Sequence, residues 1–431
     1  MAGQQTAPKA RVVILGAGSG GLTVALSLRR AAARRADIEV TLVDRKNYHS
    51  VLPMAYQVVA GSVAPPHISF PLRKLLRKRG GGEAVKFIQS KVQRIDVQRK
   101  TVVIDEGELP WDYLVVALGS TTNFFGMSDV EQIALPFRSL RDGINIHNRI
   151  VDDFEAALLE EDDQRRRELL TFVVVGGGPT GAELTAHIQE FVSRVLSKYY
   201  PTLTPLVSVV LIEAQNALLP GMKARTQELM ASQLKSRGVK IMLQTRVSEA
   251  VPNGLRTSAG DVIPTCTVIW AAGIRPVAVV ESLPCQKAKD GRIIVNQYLQ
   301  VPGEHGVYAI GDCAYLEERN SNKPYPPTFQ TAFRQGPVCA RNILRAIQGK
   351  PQRPFHPGFL GQIFYVNRNT AVAELFGLVF DGFAAGIVRR GLFIGMLIIY
   401  GGLLTGLKSK LSAALDWTFA YFYNRNTSRL E

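Results

Sequence analysis

Val12-Val13-Ile14-Leu15-Gly16-Ala17-Gly18-Ser19-Gly20-Gly21-Leu22 decides how this 431-residue chain is read. Four consecutive apolar residues suit a parallel strand buried on both faces, and the stretch Leu22 to Arg30 has helical character. Gly16, Gly18 and Gly21 space out as GxGxxG. The first two glycines permit a tight turn and a close approach of backbone N–H groups to a pyrophosphate, and the third lets the helix pack tightly on its strand. A second apolar run, Glu39 to Val43, closes on Asp44, whose carboxylate would accept a ribose hydroxyl. The competing reading is a merely glycine-rich βα turn. The strand, the helix and the acid in that order favour a dinucleotide site.

The pattern returns 160 residues later. Phe172-Val173-Val174-Val175 leads into Gly176-Gly177-Gly178-Pro179-Thr180-Gly181-Ala182-Glu183, then a long helical stretch, then a strand Val207 to Ile212 closing on Glu213. Two complete fingerprints predict two dinucleotide-binding domains. Three further apolar strands end on glycine: Leu114 to Gly119, Val268 to Gly273, and Val307 to Ile310 before Gly311-Asp312. The predicted class is therefore α/β, built on two Rossmann-like domains.

Composition narrows the remaining choices. With 46% hydrophobic residues the chain can build sizeable cores, which excludes collagen-like, disordered and disulfide-stapled classes. Cys266, Cys285, Cys313 and Cys339 form no CxxC pair and no zinc-type spacing, so neither dithiol nor metal chemistry is expected. No apolar stretch precedes Arg11, and no secretory signal peptide is expected. The net charge of +15 points to nucleic acid or to an anionic membrane. Its one dense run, Arg73-Lys74-Leu75-Leu76-Arg77-Lys78-Arg79, reads equally as a solvated helix end. No nucleic-acid-binding motif accompanies the run, so nucleic acid is not expected as a partner.

These residues resemble the flavoprotein oxidoreductases with two dinucleotide domains, in which the first fingerprint binds FAD and the second NAD(P)H. Within that superfamily the chain resembles the type II NADH:quinone oxidoreductases. The likeness is carried by Asn47-Tyr48-His49, by Gln57-Val58-Val59-Ala60-Gly61, by GGGPTGAE at 176–183, by Gln330-Thr331-Ala332 with Gly336, and by the ending Trp417 to Tyr421 with Arg429-Leu430. It runs from about Arg11 to Leu430. It implies a discontinuous FAD domain with the NADH domain inserted: FAD domain 10–124 and 290–350, NADH domain 125–289, and a C-terminal helical membrane-associating region 351–431.

The resemblance also implies roles. Non-covalent FAD would lie on Gly16, Ala17, Gly18, Ser19, Gly20, Gly21, Asp44, Arg45, Val92, Gly119, Gly311 and Asp312. NADH would lie on Gly176, Gly178, Pro179, Thr180, Gly181, Glu213 and Gly273. Glu213 would bond the ribose hydroxyls and repel a 2′-phosphate, favouring NADH over NADPH. Glu183 would be the acid at the nicotinamide and quinone junction; the alternative is an acid complementing the helix dipole. Gln330 and Arg334, at i and i+4, would project from one helix face toward the flavin or quinone. The family's usual pattern has alanine at 329 and glutamine at 334. Phe329 and Arg334 depart from it, and an arginine donates to a quinone carbonyl but cannot accept.

Alternatives within the superfamily are weaker. Thioredoxin- and glutathione-type reductases need a cysteine pair near the flavin, and no cysteine precedes Cys266. Sulfide:quinone oxidoreductases need separated catalytic cysteines and have a degraded second fingerprint, whereas this one is intact. A flavin- and nicotinamide-binding redox sensor without turnover would carry a degenerate site, and none of the motif residues is lost.

The tail has its own pattern. Gly391 to Leu407 is uncharged, 17 residues with five glycines, between Arg389-Arg390 and Lys408. A spanning helix needs about 20 apolar residues. Leu411, Ala414, Leu415, Thr418, Phe419 and Phe422 then form a helical stripe, with Trp417, Tyr421 and Tyr423 suited to an interface. The reading adopted is a peripheral anchor on the cytoplasmic face of the cell membrane, near a lipid-soluble quinone; a true span and a buried helix pair are the alternatives. On this reading, removal of 391–431 leaves a soluble protein that still oxidises NADH. The motifs are compatible with a homodimer and do not say which quinone is used.

Overall fold

The computed structural model describes residues 9–34, 37–77, 82–319, 323–357, 361–388, 391, 412, 415–416, 418 and 425–430. In chain order its main elements begin with Ala10–Leu15 (β1), Ser19–Arg34 (α1), Ile38–Asp44 (β2), Lys86–Gln89 (β3), Tyr113–Val116 (β4) and Leu140–Leu159 (α2). The second fingerprint gives Thr171–Val175 (β5), Pro179–Glu190 (α3), Ser208–Ile212 (β6), Lys240–Met242 (β7) and Thr267–Trp270 (β8). Val307–Ala309 (β9), Phe329–Ile347 (α4), Gly361–Tyr365 (β10), Ala371–Leu375 (β11) and Leu378–Asp381 (β12) follow.

The described residues fall into two compact units. The first lies within Met1–Val51, Ser69–Thr121 and Ile274–Gly358, the second within Leu52–Ile68, Thr122–Gly273 and Phe359–Glu431.

The first unit is built on a five-stranded sheet ordered β9-β4-β1-β2-β3, parallel throughout. Its central strand is the fingerprint strand, with Val12, Val13, Ile14 and Leu15 all buried. Burying each such side chain stabilises the fold by about 1.5–3 kcal/mol. From β1 the chain goes to β2 and β3 on one side, then returns to β4 on the other. Strand order therefore reverses at the carboxyl end of β1, the place where doubly wound sheets bind ligands. An antiparallel meander, Val92–Asp96, Thr101–Ile104 and Gly107–Pro110, completes the unit's β structure beside short two-stranded pairs. Helix α4 crosses α1 closely: a Cβ on Gly336 would stand 1.9 Å from Thr23 Oγ1.

The second unit repeats the plan. Its parallel sheet runs Leu135–Pro136, β8, β5, β6, β7, with the second fingerprint strand again central. It too carries an antiparallel meander, Val247–Val251, Gly254–Thr257 and Val262–Pro264. The prediction of two parallel-sheet dinucleotide folds holds.

The C-terminal region also contributes structure that its apolar pattern does not announce. β10, β11 and β12 form an antiparallel sheet in the second unit, and β10 packs on α3. Residues 425–430 are tied into the same unit. The Asn426 N–H donates to Gly61 O at 3.0 Å, and Asn148 both donates to Leu430 O and accepts its N–H at 2.6 Å. Removal of 391–431, expected to leave a soluble protein that still oxidises NADH, would also break these bonds. The anchor stretch 391–407 lies outside the described residues except for Gly391, as does most of the 411–423 stripe. No helix among the described residues is long and apolar enough to cross a membrane.

Candidate functional site

In the first unit the turn after β1 is fixed by three glycines with different duties. Gly16 has φ +95°, and a Cβ there would stand 2.3 Å from Ala117 O, so no other residue fits. A Cβ on Gly21 would fall 1.9 Å from Gly16 O. Gly18 is the opposite case: nothing lies within 4 Å of its would-be Cβ, leaving open space at the N-terminus of α1. The first turn of α1 contains no acidic residue, so the positive end of the helix is left for an external anion.

Asp44 closes this turn. Its Oδ2 accepts the Ala17 N–H at 2.6 Å and its Oδ1 the Lys46 N–H at 2.8 Å. The next peptide, on the other side of the same residue, is held by His49, whose Nδ1 lies 2.9 Å from Ala17 O and must therefore donate to it. Burial holds His49 below the ordinary histidine range, against the opposing pull of that bond and of Asp44. His49, which the resemblance marks without a role, thus has a position in the site.

The remaining first-unit residues gather nearby in the sheet. Gly311, at φ +74°, and Asp312 follow β9, and Asp312 Oδ2 accepts the Ser120 hydroxyl at 2.8 Å. Gln335, only 2% exposed, accepts the Gly311 N–H at 2.6 Å, a contact that a focus on residues 330 and 334 passes over. Gly119 adopts φ +70° after β4. Val92 is buried in the meander and Arg45 is exposed beside Asp44. Thr328 caps α4, which carries Gln330 and Arg334 half-buried, and Phe329 stacks on Phe333 with centroids 6.1 Å apart.

The second unit repeats the glycine turn and its carboxylate clamp. Gly176 has φ +107° and a Cβ there would meet Ala272 N at 2.7 Å; one on Gly181 would meet Gly176 O at 1.8 Å; Gly178 again faces open space. Pro179 opens α3 at a position where its missing N–H costs nothing. Glu213, 8% exposed, accepts the Gly177 N–H through Oε2 at 2.6 Å and the Gln215 N–H through Oε1 at 2.7 Å. Gly273 follows β8 at φ +71°, with the Phe125 ring against it. Each carboxylate keeps further lone pairs for ribose hydroxyls after meeting its two N–H donors. The glycine cradles, uncompensated helix ends and acid-terminated strands fit one dinucleotide in each unit.

Glu183 lies past the first turn of α3, so it does not serve as a dipole-complementing first-turn acid. Its Oε1 accepts the Tyr365 N–H at 2.8 Å. Tyr365 stacks on His187 at 3.7 Å between centroids, and His187 stacks on Tyr56 at 5.7 Å. Desolvation, reinforced by the Glu183 charge, pushes the Tyr56 hydroxyl up, while its hydrogen bond with Thr180 pulls it down. Tyr56 and Tyr365 carry no local sequence signal for this role. Glu183 belongs to the second unit, and Gln330 and Arg334 to the first.

The four cysteines are free thiols. Burial pushes Cys313 up to about 11 and Cys339 higher still, so neither is a ready nucleophile.

Residues 10–336 match the family model for pyridine nucleotide-disulphide oxidoreductases. The type II NADH:quinone oxidoreductase Ndh of Mycobacterium tuberculosis is 30% identical, with 96% of this chain and 89% of that protein aligned. This chain belongs to the type II NADH:quinone oxidoreductases. The Haemophilus influenzae type II NADH:quinone oxidoreductase is 28% identical over 84% of this chain and 86% of its own length. The solved structure of Plasmodium falciparum NDH2 in complex with NADH superposes with a TM-score of 0.87, at 20% identity, covering 97% of this chain and all of that one. As a type II NADH:quinone oxidoreductase the chain is a flavoprotein enzyme that carries electrons from NADH to a quinone. The family's broader description includes disulphide chemistry; in this type II enzyme the cysteines are single and dispersed.

Proposed function

We propose that the flavin is FAD, held non-covalently by the first unit through Gly16–Gly21, Asp44, Arg45, Val92, Gly119, Gly311 and Asp312. NADH binds the second unit through Gly176, Gly178–Gly181, Glu213 and Gly273. The observation that supports this most directly is the duplicated clamp, in which an acid closing the second strand grips the peptide inside a glycine turn. When bound, the flavin would supply two-electron chemistry, accepting a hydride from NADH and donating two electrons to the quinone. The quinone takes those electrons with two protons and leaves as the quinol.

The chain's own residues do the rest. Glu213 bonds the adenosine ribose and rejects a 2′-phosphate by charge and by desolvation. The α1 and α3 N-termini neutralise pyrophosphate charge. Glu183 is the acid beside the reacting groups, held ready by the Tyr365 N–H. Gln330 and Arg334 offer donors to quinone carbonyls, and the arginine in place of the family's usual glutamine can donate but not accept.

The nicotinamide domain is inserted in the flavin domain, and electrons pass without ion pumping. The enzyme sits peripherally on the cytoplasmic face of the membrane through its C-terminal region. Support for the membrane reading comes from the uncharged run between Arg389-Arg390 and Lys408 and from a lipid-soluble acceptor. A homodimer is compatible with the same motifs. Acid extraction of the purified protein should release one FAD per chain by chromatography. Release of FMN, or flavin that stays attached to the polypeptide, contradicts the assignment.

A further inference from the structure

One buried ion pair has no part in the reading above. Glu190, the last residue of α3, is 5% exposed, and Arg425 places Nη2 3.0 Å from its Oε2, with both side chains under a tenth exposed. The same Oε2 accepts the Tyr365 hydroxyl. Glu183, His187 and Glu190 fall at i, i+4 and i+7, so they share one face of α3, with its two acids about 10 Å apart along the axis. That face meets Tyr365 twice. The tyrosine's ring end is fixed by Glu190 and its stack on His187, and its backbone N–H holds Glu183 at 2.8 Å.

We propose that Arg425 is a positioning residue for the reaction: through Glu190 and Tyr365 it fixes the carboxylate of Glu183. This rests on the reading of Glu183 given above. Arg425 is a cation in direct contact with Glu190, whose Oε1 also accepts the Arg368 N–H at 3.3 Å, and loss of that contact lets the buried carboxylate admit water or turn away. Each of those changes loosens the tyrosine hydroxyl, and with it the peptide that orients Glu183. Arg425 reaches this place because residues 426–430 are pinned beside it. A Cβ on Gly61 would stand 2.1 Å from Asn426 O, and His147 Nε2 lies 3.0 Å from Ser428 O. The segment at the far end of the chain therefore works as a clasp on the helix that carries the proposed catalytic acid.

The test uses full-length, flavin-loaded enzyme and reads turnover per bound flavin. Arg425→Met should lower kcat at least about fivefold while the NADH KM stays within about twofold. Arg425→Lys, which restores a cation at a single-bond contact, should recover at least about half of the wild-type kcat, in keeping with the point charge of lysine. Tyr365→Phe removes only the hydroxyl that Glu190 holds and keeps the ring; it should fall in the same direction, and it decides the matter if Arg425→Met does not fold. Wild-type kcat per flavin in Tyr365→Phe overturns the proposal, as does failure of lysine to rescue. Glu183→Gln runs alongside. If it keeps full turnover, the reading of Glu183 fails; if it loses turnover while Arg425→Met and Tyr365→Phe keep theirs, only the positioning role fails.

Discussion

Glu213 Oε2 accepts the Gly177 N–H at 2.6 Å. The bond ties the end of β6 to the glycine turn of the second fingerprint, and Asp44 makes the same 2.6 Å bond to Ala17 in the first. One carboxylate thus shapes the cradle and presents its remaining lone pairs to a ribose. A 2′-phosphate would bring its charge against an 8% exposed carboxylate with no basic residue at Ala214 to offset it. NADH should exceed NADPH in kcat/KM by at least about tenfold, equivalent to about 1.4 kcal/mol. Equal efficiency with both nucleotides refutes the role of Glu213.

The two glycine cradles should fail separately. Gly21→Ala drives a methyl into Gly16 O and should yield protein with little flavin. Gly181→Ala makes the same clash with Gly176 O and should yield protein that keeps its flavin but shows a KM for NADH raised at least about tenfold. Flavin content and NADH titration read the two effects, and loss of flavin from Gly181→Ala would reverse the assignment of the cradles.

His49 gives a pH dependence with a definite sign. Burial keeps it neutral in the folded protein while it donates to Ala17 O. A histidine near 6.5 when unfolded and lower when folded makes the unfolded state bind more protons between those values. Stability and flavin retention should therefore be complete above about pH 6.5 and decline as the pH falls below it. Thermal denaturation as a function of pH checks this; His49→Gln should flatten the acid limb, and an unchanged limb removes His49 from the account.

Both fingerprint turns can be read because glycine spacing, apolar strands and a terminal acid are local features, close in sequence and fixed by backbone sterics. The sheet β10–β12 is harder to see. Its strands are four or five residues long and only partly buried, and its neighbour α3 lies some 170 residues earlier in the sequence. Gln335 sits one residue from a position that the motif draws attention to, and only the helix rotation shows that it, rather than Arg334, reaches Gly311. Arg425 has no local signal at all, since an ion pair spanning the distance from 190 to 425 leaves no trace in periodicity. The stretch 391–407 advertises its chemistry clearly, yet beyond Gly391 it lies outside the described residues.

Removing 391–431 takes Arg425 away from Glu190 along with the apolar run. Breaking a buried pair by removing one partner costs about 3–5 kcal/mol. The truncated protein should melt well below the full chain, and deletion of 425–431 alone should account for most of that loss. Differential scanning calorimetry on the two truncations gives the answer, and a full-chain melting temperature in the short deletion contradicts the docking of this segment.

The central claim is that one chain links NADH oxidation to quinone reduction through a bound flavin, and an anaerobic spectral titration tests it most directly. NADH added to the purified protein should bleach the flavin bands at one equivalent per chain, and a quinone added next should restore them with one equivalent of quinol formed. Flavin that stays oxidised under excess NADH, or bleached flavin that no quinone restores, would contradict the account.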